Sequence, residues 1–165
     1  MNNIKLRSQD VSDAERFYEI LNNPNFIYFS ACPESIEDER KFLEKNEKNR
    51  ADNREYNYSI LFNDNVVGAI GLRVDQNRSY IAEAGYFIKE KYWNRGFATE
   101  ALLLLEKIAF EELDIKRIEI MMITKNTASE KIAIKCGYLK EGTSRKKIKV
   151  GEDYFDCHLY AKINF

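Results

Sequence analysis

The spacing of apolar and polar positions changes period several times along this chain, and each change marks a predicted element. From Tyr56 the period is two. Residues 56–62 and 66–74 read as strands joined by the turn Asn63-Asp64-Asn65, and Asp75-Gln76-Asn77-Arg78 leads into a third strand over 79–88. Past the polar link Lys89-Glu90-Lys91 the period turns helical: Phe97, Ala101, Leu104, Leu105, Ile108 and Ala109 form one apolar stripe running to about Leu113. Residues 117–123 are an almost unbroken apolar run, the pattern of an interior strand. Thr127-x-x-Glu130 opens a short helix that ends at Cys136, with Gly137 as its stop. Residues 138–150 and 154–163 then close the chain as a hairpin around Gly151-Glu152-Asp153.

The N-terminal third is more polar. Residues 3–7 read as a short strand, and Ser12-x-x-Glu15 as a capping box opening a helix with Phe17, Ile20 and Leu21 on its apolar side. Asn22-Asn23-Pro24 ends that helix. The run Phe26-Ile27-Tyr28-Phe29-Ser30 is aromatic and irregular, and either lines a cleft or anchors the connection. After Pro33, Ser35-x-x-Asp38 caps a charged surface helix reaching about Arg50, with Phe42 and Leu43 as its apolar anchors. The order β-α-α-β-β-β-α-β-α-β-β predicts an α/β (α+β) fold: a single mixed, mostly antiparallel sheet of about seven strands with helices on both faces. At 165 residues, with no repeat, low-complexity tract or linker, residues 1–165 are expected to form one domain.

Composition removes several function classes. Charged residues are 32% of the chain, yet the net charge is −1, so no global field draws it to nucleic acid or to an anionic membrane. The three cysteines, Cys32, Cys136 and Cys157, lack metal-ligand spacing and read as reduced thiols of a cytoplasmic protein, the last two packed inside. The N-terminus carries no apolar signal core. His158 is the only histidine, so neither a metal set nor a Ser–His–Asp arrangement is expected; it reads as a solvated or hydrogen-bonded strand residue. Arg145-Lys146-Lys147-x-Lys149 reads as a solvated hairpin arm, with contact to a nucleotide phosphate as the alternative.

One stretch carries candidate chemistry. A strand, a short loop, Gly96 and then a helix is a device for holding a phosphate: the first helical N–H groups lack partners, the helix dipole is positive there, and glycine lets the backbone approach an anion. A packing turn accounts for the same glycine equally well. The surrounding residues separate the two readings. Trp93-Asn94-Arg95-Gly96-Phe97-Ala98 resembles the acyl-CoA-binding motif of the GNAT N-acetyltransferase superfamily, Gln/Arg-x-x-Gly-x-Gly/Ala, with Trp93 where Gln or Arg is commonest. Asn126-Thr127-Ala128-Ser129, Lys135-Cys136-Gly137-Tyr138 and Glu141-Gly142 resemble the Asn-x-x-Ser, Lys-x-Gly-Phe and Glu-Gly signature of the branch that includes the ribosomal-protein N-terminal acetyltransferases.

That resemblance implies a splay between the strands 79–88 and 117–123. The pantetheine arm of acetyl-CoA would pair with backbone near Tyr86, Phe87 and Ile88, and its pyrophosphate would sit on Trp93, Asn94, Arg95, Gly96, Phe97, Ala98 and Thr99. Glu83 becomes the candidate general base, sharing its strand face with Ile81, Gly85 and Phe87; the plain alternative is an exposed carboxylate paired with Arg78 or a lysine. The Tyr that many members carry seven residues after the Asn is Ala133 here, and the branch's Asn-x-x-Ser context implies Ser129 as the candidate acid for the leaving thiolate; part of a helix cap is its other reading. Asn126 either holds the cofactor or caps the helix. No metal is implied. The expected acceptor is a protein N-terminal α-amine, with a polyamine, aminoglycoside or amino-acid-like antibiotic as alternatives and Glu34, Glu37 and Asp38 near the cleft entrance. A non-catalytic acyl-CoA sensor is the competing class. A nucleotide-binding protein is disfavoured by the lack of both glycine-rich phosphate motifs. Either a monomer or a homodimer is compatible.

Overall fold

The computed structural model describes residues 2–29 and 32–165; Ser30, the end of the aromatic run, lies outside them. Seven strands, β1 (Lys5–Ser8), β2 (Glu55–Phe62), β3 (Asn65–Val74), β4 (Ile81–Ile88), β5 (Arg117–Ile123), β6 (Leu139–Val150) and β7 (Asp153–Ile163), form one sheet in the order β1-β2-β3-β4-β5-β7-β6. The β4–β5 pair is parallel and the other neighbours are antiparallel. Among the described residues five α-helices accompany it: α1 (Ala14–Leu21), α2 (Ile36–Leu43), α3 (Asn46–Ala51), α4 (Phe97–Glu111) and α5 (Thr127–Lys135). This is the mixed, mostly antiparallel sheet with helices on both faces that the pattern predicts.

Why helices cover both faces is visible in β3. Ile70, Leu72 and Val74 meet the α4 face, where Phe97, Ala101, Leu102, Leu105 and Ala109 complete the main core. Ala69, on the opposite parity, packs with Ala14 and Phe17 of α1 and Leu43 of α2. A strand buried on both sides loses its polar positions, which is why period two gives way to continuous apolar runs here. The β2–β3 hairpin turns on Asn63 and Asp64, both at positive φ (49° and 58°), the type I′ geometry that matches strand twist. Gly137, at φ 83°, ends α5 as predicted.

Three local readings are corrected. The N-terminal capping box is Asp10 with Asp13, not Ser12 with Glu15: Asp10 accepts from the Ser12 N–H and Asp13 from the Asp10 N–H, on a 3-10 turn preceding α1. The second helix is two helices, broken after Leu43, because no apolar residue between Leu43 and Ala51 holds a continued helix to the sheet. Phe42 is exposed, and Leu43 alone of the two expected anchors is buried. The cap of α5 is Asn126, whose Oδ1 accepts from the Ser129 N–H at 3.2 Å. Cys136 and Cys157 are buried free thiols, and His158 is hydrogen-bonded to Thr143 at 2.7 Å.

Candidate active site

The parallel seam between β4 and β5 is short. It pairs Ile81 with Arg117, Ala82 with Ile118 and Glu83 with Glu119, then stops, although β4 continues to Ile88 and β5 to Ile123. Beyond Glu83, β5 stays bound to β7 and β4 to β3, so the sheet opens as a V whose apex is Glu83–Glu119. The Lys89 N–H continues the β3 ladder by donating to the Val67 carbonyl at 2.7 Å. In antiparallel alternation that turns the backbone groups of Tyr86 and Ile88 toward the opening and those of Phe87 toward β3. The Phe87 ring lies on the other face, edge-on to Phe17 (5.6 Å) and Phe29 (5.4 Å). Of the three positions expected to meet pantetheine, two therefore face the gap. The Ile88 carbonyl is itself engaged, accepting from Trp93 Nε1–H at 2.6 Å.

That bond ties the opening to the loop beyond it. Asn94 (φ 59°) and Gly96 (φ 82°) both take left-handed backbone, and α4 starts at Phe97 with no side chain among the described residues capping it. The first N–H groups of α4 thus remain available beside a positive helix end. Phe97 contributes only its backbone to this cradle, since its ring is buried against Tyr92 (4.8 Å) and Phe62 (5.1 Å). Arg95 is exposed at the rim, and Ala98 and Thr99 are half-buried in the first turn. The loop is braced from two sides. Glu100 accepts from the N–H of Asn2 (2.7 Å) and of Ile4 (3.2 Å), while Asn2 Nδ2 donates to the Arg95 carbonyl at 2.9 Å. Opposite, Phe26 packs edge-on to Trp93 at 5.3 Å, and Asn23 and Asn25 both donate to Glu90 at 2.7 Å. A phosphate-bearing ligand fits this uncapped, braced helix end.

At the apex, Glu83 meets a charged neighbourhood in place of the expected apolar one. Its Oε2 accepts from Arg73 Nη2 at 2.8 Å, across the β3–β4 register pair. Arg78, the sequence-expected partner, instead binds Asp75. Glu119 stands beside Glu83 and is held by Arg117 Nε at 2.7 Å; Arg117 also binds Glu141. Arg73, Val74, Asp75, Ile81, Glu83 and Glu119 line a cleft of about 210 Å³.

Across β4, on the α4 side, the Tyr86 hydroxyl lies 2.8 Å from Ser129 Oγ. Burial pushes this phenol up to about 12, against the opposing effect of the Ser129 bond. The Ser129 backbone N–H belongs to the Asn126 cap, while its hydroxyl is free of the cap and meets Tyr86. Sequence reasoning missed the Tyr86 side chain, Arg73 and Glu119. A signal existed for the first: Tyr86 shares parity with the small residues Ala82 and Ala84, and a tyrosine packed on an apolar face needs a partner for its hydroxyl.

Residues 3–139 match the family model of the acetyltransferase (GNAT) domain. Over 166 residues the chain is 30% identical to YdaF of Bacillus subtilis (strain 168), provisionally named a ribosomal N-acetyltransferase, covering 96% of this chain and 90% of the relative. Two solved structures share the fold. RimL, a ribosomal L7/L12 alpha-N-protein acetyltransferase in complex with coenzyme A, aligns with TM-score 0.89 at 22% identity over 97% of this chain and 93% of its own. The microcin C7 self-immunity acetyltransferase MccE, in complex with acetyl-CoA and AMP, aligns with TM-score 0.88 at 23% identity over 98% and 92%. The family match spans most of the residues that build the sheet, the opening and the loop described above, and the chain belongs to the GNAT acetyltransferase family as an N-acetyltransferase.

Proposed function

We propose that this chain moves an acetyl group from acetyl-CoA directly onto a primary amine, and that the amine is a protein N-terminal α-amine of the ribosomal-protein type. The observation that carries the first part is the three-pair β4–β5 seam opening onto an uncapped helix end, with a carboxylate at the apex. The backbone of Tyr86 and Ile88, with Phe87 behind them, would hold the pantetheine; Trp93, Asn94, Arg95, Gly96, Phe97, Ala98 and Thr99 would hold the pyrophosphate, and Asn126 would fix the edge carrying Ser129. Acetyl-CoA supplies an already activated thioester when bound. The protein's own duties are then few: Glu83 takes a proton from the amine, directly or through water, and Ser129 hydrogen-bonds the departing sulfur. Glu83 and Tyr86 have opposite strand parity, so amine and thiolate are served from opposite sides of β4.

The acceptor reading rests on the ribosomal N-acetyltransferase relative and on an aromatic wall. Phe26 and Phe29 stand edge-on to each other at 6.5 Å and reach Trp93 and Phe87, on the Glu83 side of the strand. Such a wall suits an extended peptide's first side chains better than a polycation. The deciding experiment is a thiol-release assay with acetyl-CoA against N-terminal peptides, spermidine, aminoglycosides and free amino acids. Peptides alone should turn over. A small amine winning instead would move the acceptor to the small-molecule class, and acetyl-CoA binding without turnover of any acceptor would favour a sensor.

Two substitutions test the assigned parts. Gly96→Ala places a side chain at φ 82°, a conformation costing an L-residue about 1 kcal/mol or more. Acetyl-CoA affinity should fall roughly tenfold by calorimetry; unchanged affinity would remove the loop from the pyrophosphate site. Ser129→Ala should lower kcat roughly tenfold while acetyl-CoA affinity stays within about twofold, because the Asn126 cap uses the Ser129 backbone and survives the change. An unaltered kcat would reduce Ser129 to a capping residue.

A further inference from the structure

The family pattern lacks its tyrosine here, since position 133 is alanine, buried in α5. A phenol from another element reaches Ser129 instead. The Tyr86 hydroxyl, carried by β4, lies 2.8 Å from Ser129 Oγ, although the two residues are 43 positions apart in the chain. Among the described residues Ser129 Oγ has no other hydrogen-bond partner, because Asn126 takes the Ser129 N–H and leaves the hydroxyl alone. The ring is packed against the main core, on a strand held along its length by β3.

Two hydroxyls sharing one hydrogen bond have two hydrogens between them. One hydroxyl donates, and the other keeps a hydrogen to give elsewhere. The phenol is the more acidic and so the better donor. It remains protonated at neutral pH, because burial pushes its ionisation up to about 12. With Tyr86 donating, the Ser129 hydrogen has no protein acceptor among the described residues, and a hydroxyl that accepts a bond donates a stronger one in turn.

We propose that Tyr86 is a positioning residue for the transfer: its phenol donates to Ser129 Oγ and so frees and aims the Ser129 hydrogen at the leaving sulfur. This rests on the reading of Ser129 given above. The new amide C–N bond forms, the thioester C–S bond breaks, and the amine's proton leaves through Glu83. Ser129 hydrogen-bonds the sulfur as negative charge collects there. Tyr86 keeps its own proton throughout, so no proton has to be returned to it.

The test uses four proteins: wild type, Tyr86→Phe, Ser129→Ala and the double variant. Each is assayed for kcat and KM with the best acceptor of the panel, for coenzyme A affinity by calorimetry and for thermal melting. Tyr86→Phe should lower kcat roughly fivefold to tenfold with coenzyme A affinity and melting near wild type, and should add nothing in the Ser129→Ala background. An independent readout needs no turnover. With ¹³Cζ-labelled tyrosine, the one resonance missing from Tyr86→Phe should shift at neutral pH in Ser129→Ala. Normal kcat in Tyr86→Phe, the same fold-loss in both backgrounds, a loss tracking weaker coenzyme A binding, or an unmoved tyrosine signal would each overturn the inference. If Ser129→Ala keeps its kcat, the underlying assignment of Ser129 has failed, and the inference with it. That result is distinguishable from a failure of Tyr86 alone.

Discussion

Glu83→Gln is expected to lower kcat/KM by about 100-fold and to change the shape of the pH–rate profile. General-base assistance contributes about 10² or more, and glutamine keeps the volume and one acceptor oxygen while losing the ability to take a proton. The register of two strands makes Glu83 the last β4 residue paired with β5 before the sheet opens. The competing account is that Glu83 exists only to bind Arg73. That account can be weighed by magnitude. The pair is solvent-accessible, with Arg73 at 67% and Glu83 at 29% exposure, and such bridges contribute about 0–1 kcal/mol. Glu83→Gln should therefore leave melting nearly unchanged, so a large loss of activity cannot be charged to unfolding. Arg73→Ala supplies the control: it breaks the same bridge and leaves the carboxylate in place. If the bridge is all that matters, Arg73→Ala and Glu83→Gln will be equally impaired. If Glu83 is the base, Arg73→Ala should retain at least tenfold more activity than Glu83→Gln. An unchanged pH–rate profile in Glu83→Gln would sink the assignment.

What was legible in the chain was local. Arg117–Ile123 is predicted to the residue because an apolar run flanked by charged residues admits few other ends. The Gly96 loop is legible because its turn into the helix depends on consecutive residues and one backbone conformation. The start of β4 slips from 79 to Ile81, because the Ile81 N–H still closes the preceding turn on the Arg78 carbonyl at 2.8 Å. What was not legible is decided at a distance. Arg73 reaches Glu83 through the β3–β4 register, which the length of the intervening turn sets. Arg78 is nearer in sequence but is turned onto Asp75 by that same turn. Tyr86 and Ser129 meet only because α5 returns over the α4 side of β4, and no spacing in the chain announces it. The capping box shows the same limit on a smaller scale. Ser12-x-x-Glu15 and Asp10-x-x-Asp13 share the capping-box spacing, and the choice between them falls to side chains the pattern does not contain.

Those side chains make Asp13→Ala the substitution with the largest expected effect on stability. The Asp13 carboxylate is 5% exposed and accepts three bonds: from Ser59 Oγ at 2.7 Å, from Arg7 Nη2 at 2.7 Å and from the Asp10 N–H at 3.0 Å. Ser59 lies in β2 and is fully buried, 46 residues away, so one carboxylate joins the sheet to the start of α1. Alanine removes a cap bond, strands the Ser59 hydroxyl in the core and leaves Arg7 unpaired. Breaking a buried, hydrogen-bonded charge in this way costs about 3 kcal/mol, a fall of roughly 6–12 °C in melting temperature for a domain of this size. Much of that cost is the stranded hydroxyl, which makes the effect separable. Ser59→Ala alone should cost about 1 kcal/mol, whereas in the Asp13→Ala background it should cost nothing or recover stability, because the orphaned donor is gone. Additive losses in the double variant, or an Asp13→Ala protein within about 1 kcal/mol of wild type by urea unfolding, would show that the contact does not couple β2 to α1. If the coupling holds, its consequence extends past stability. The loop that follows α1 carries Phe26 and Phe29 to Trp93 and Phe87, so loosening α1 at Asp13 should raise the acceptor KM, while the Gly96 loop, losing support on the Phe26 side, keeps its second brace at Glu100.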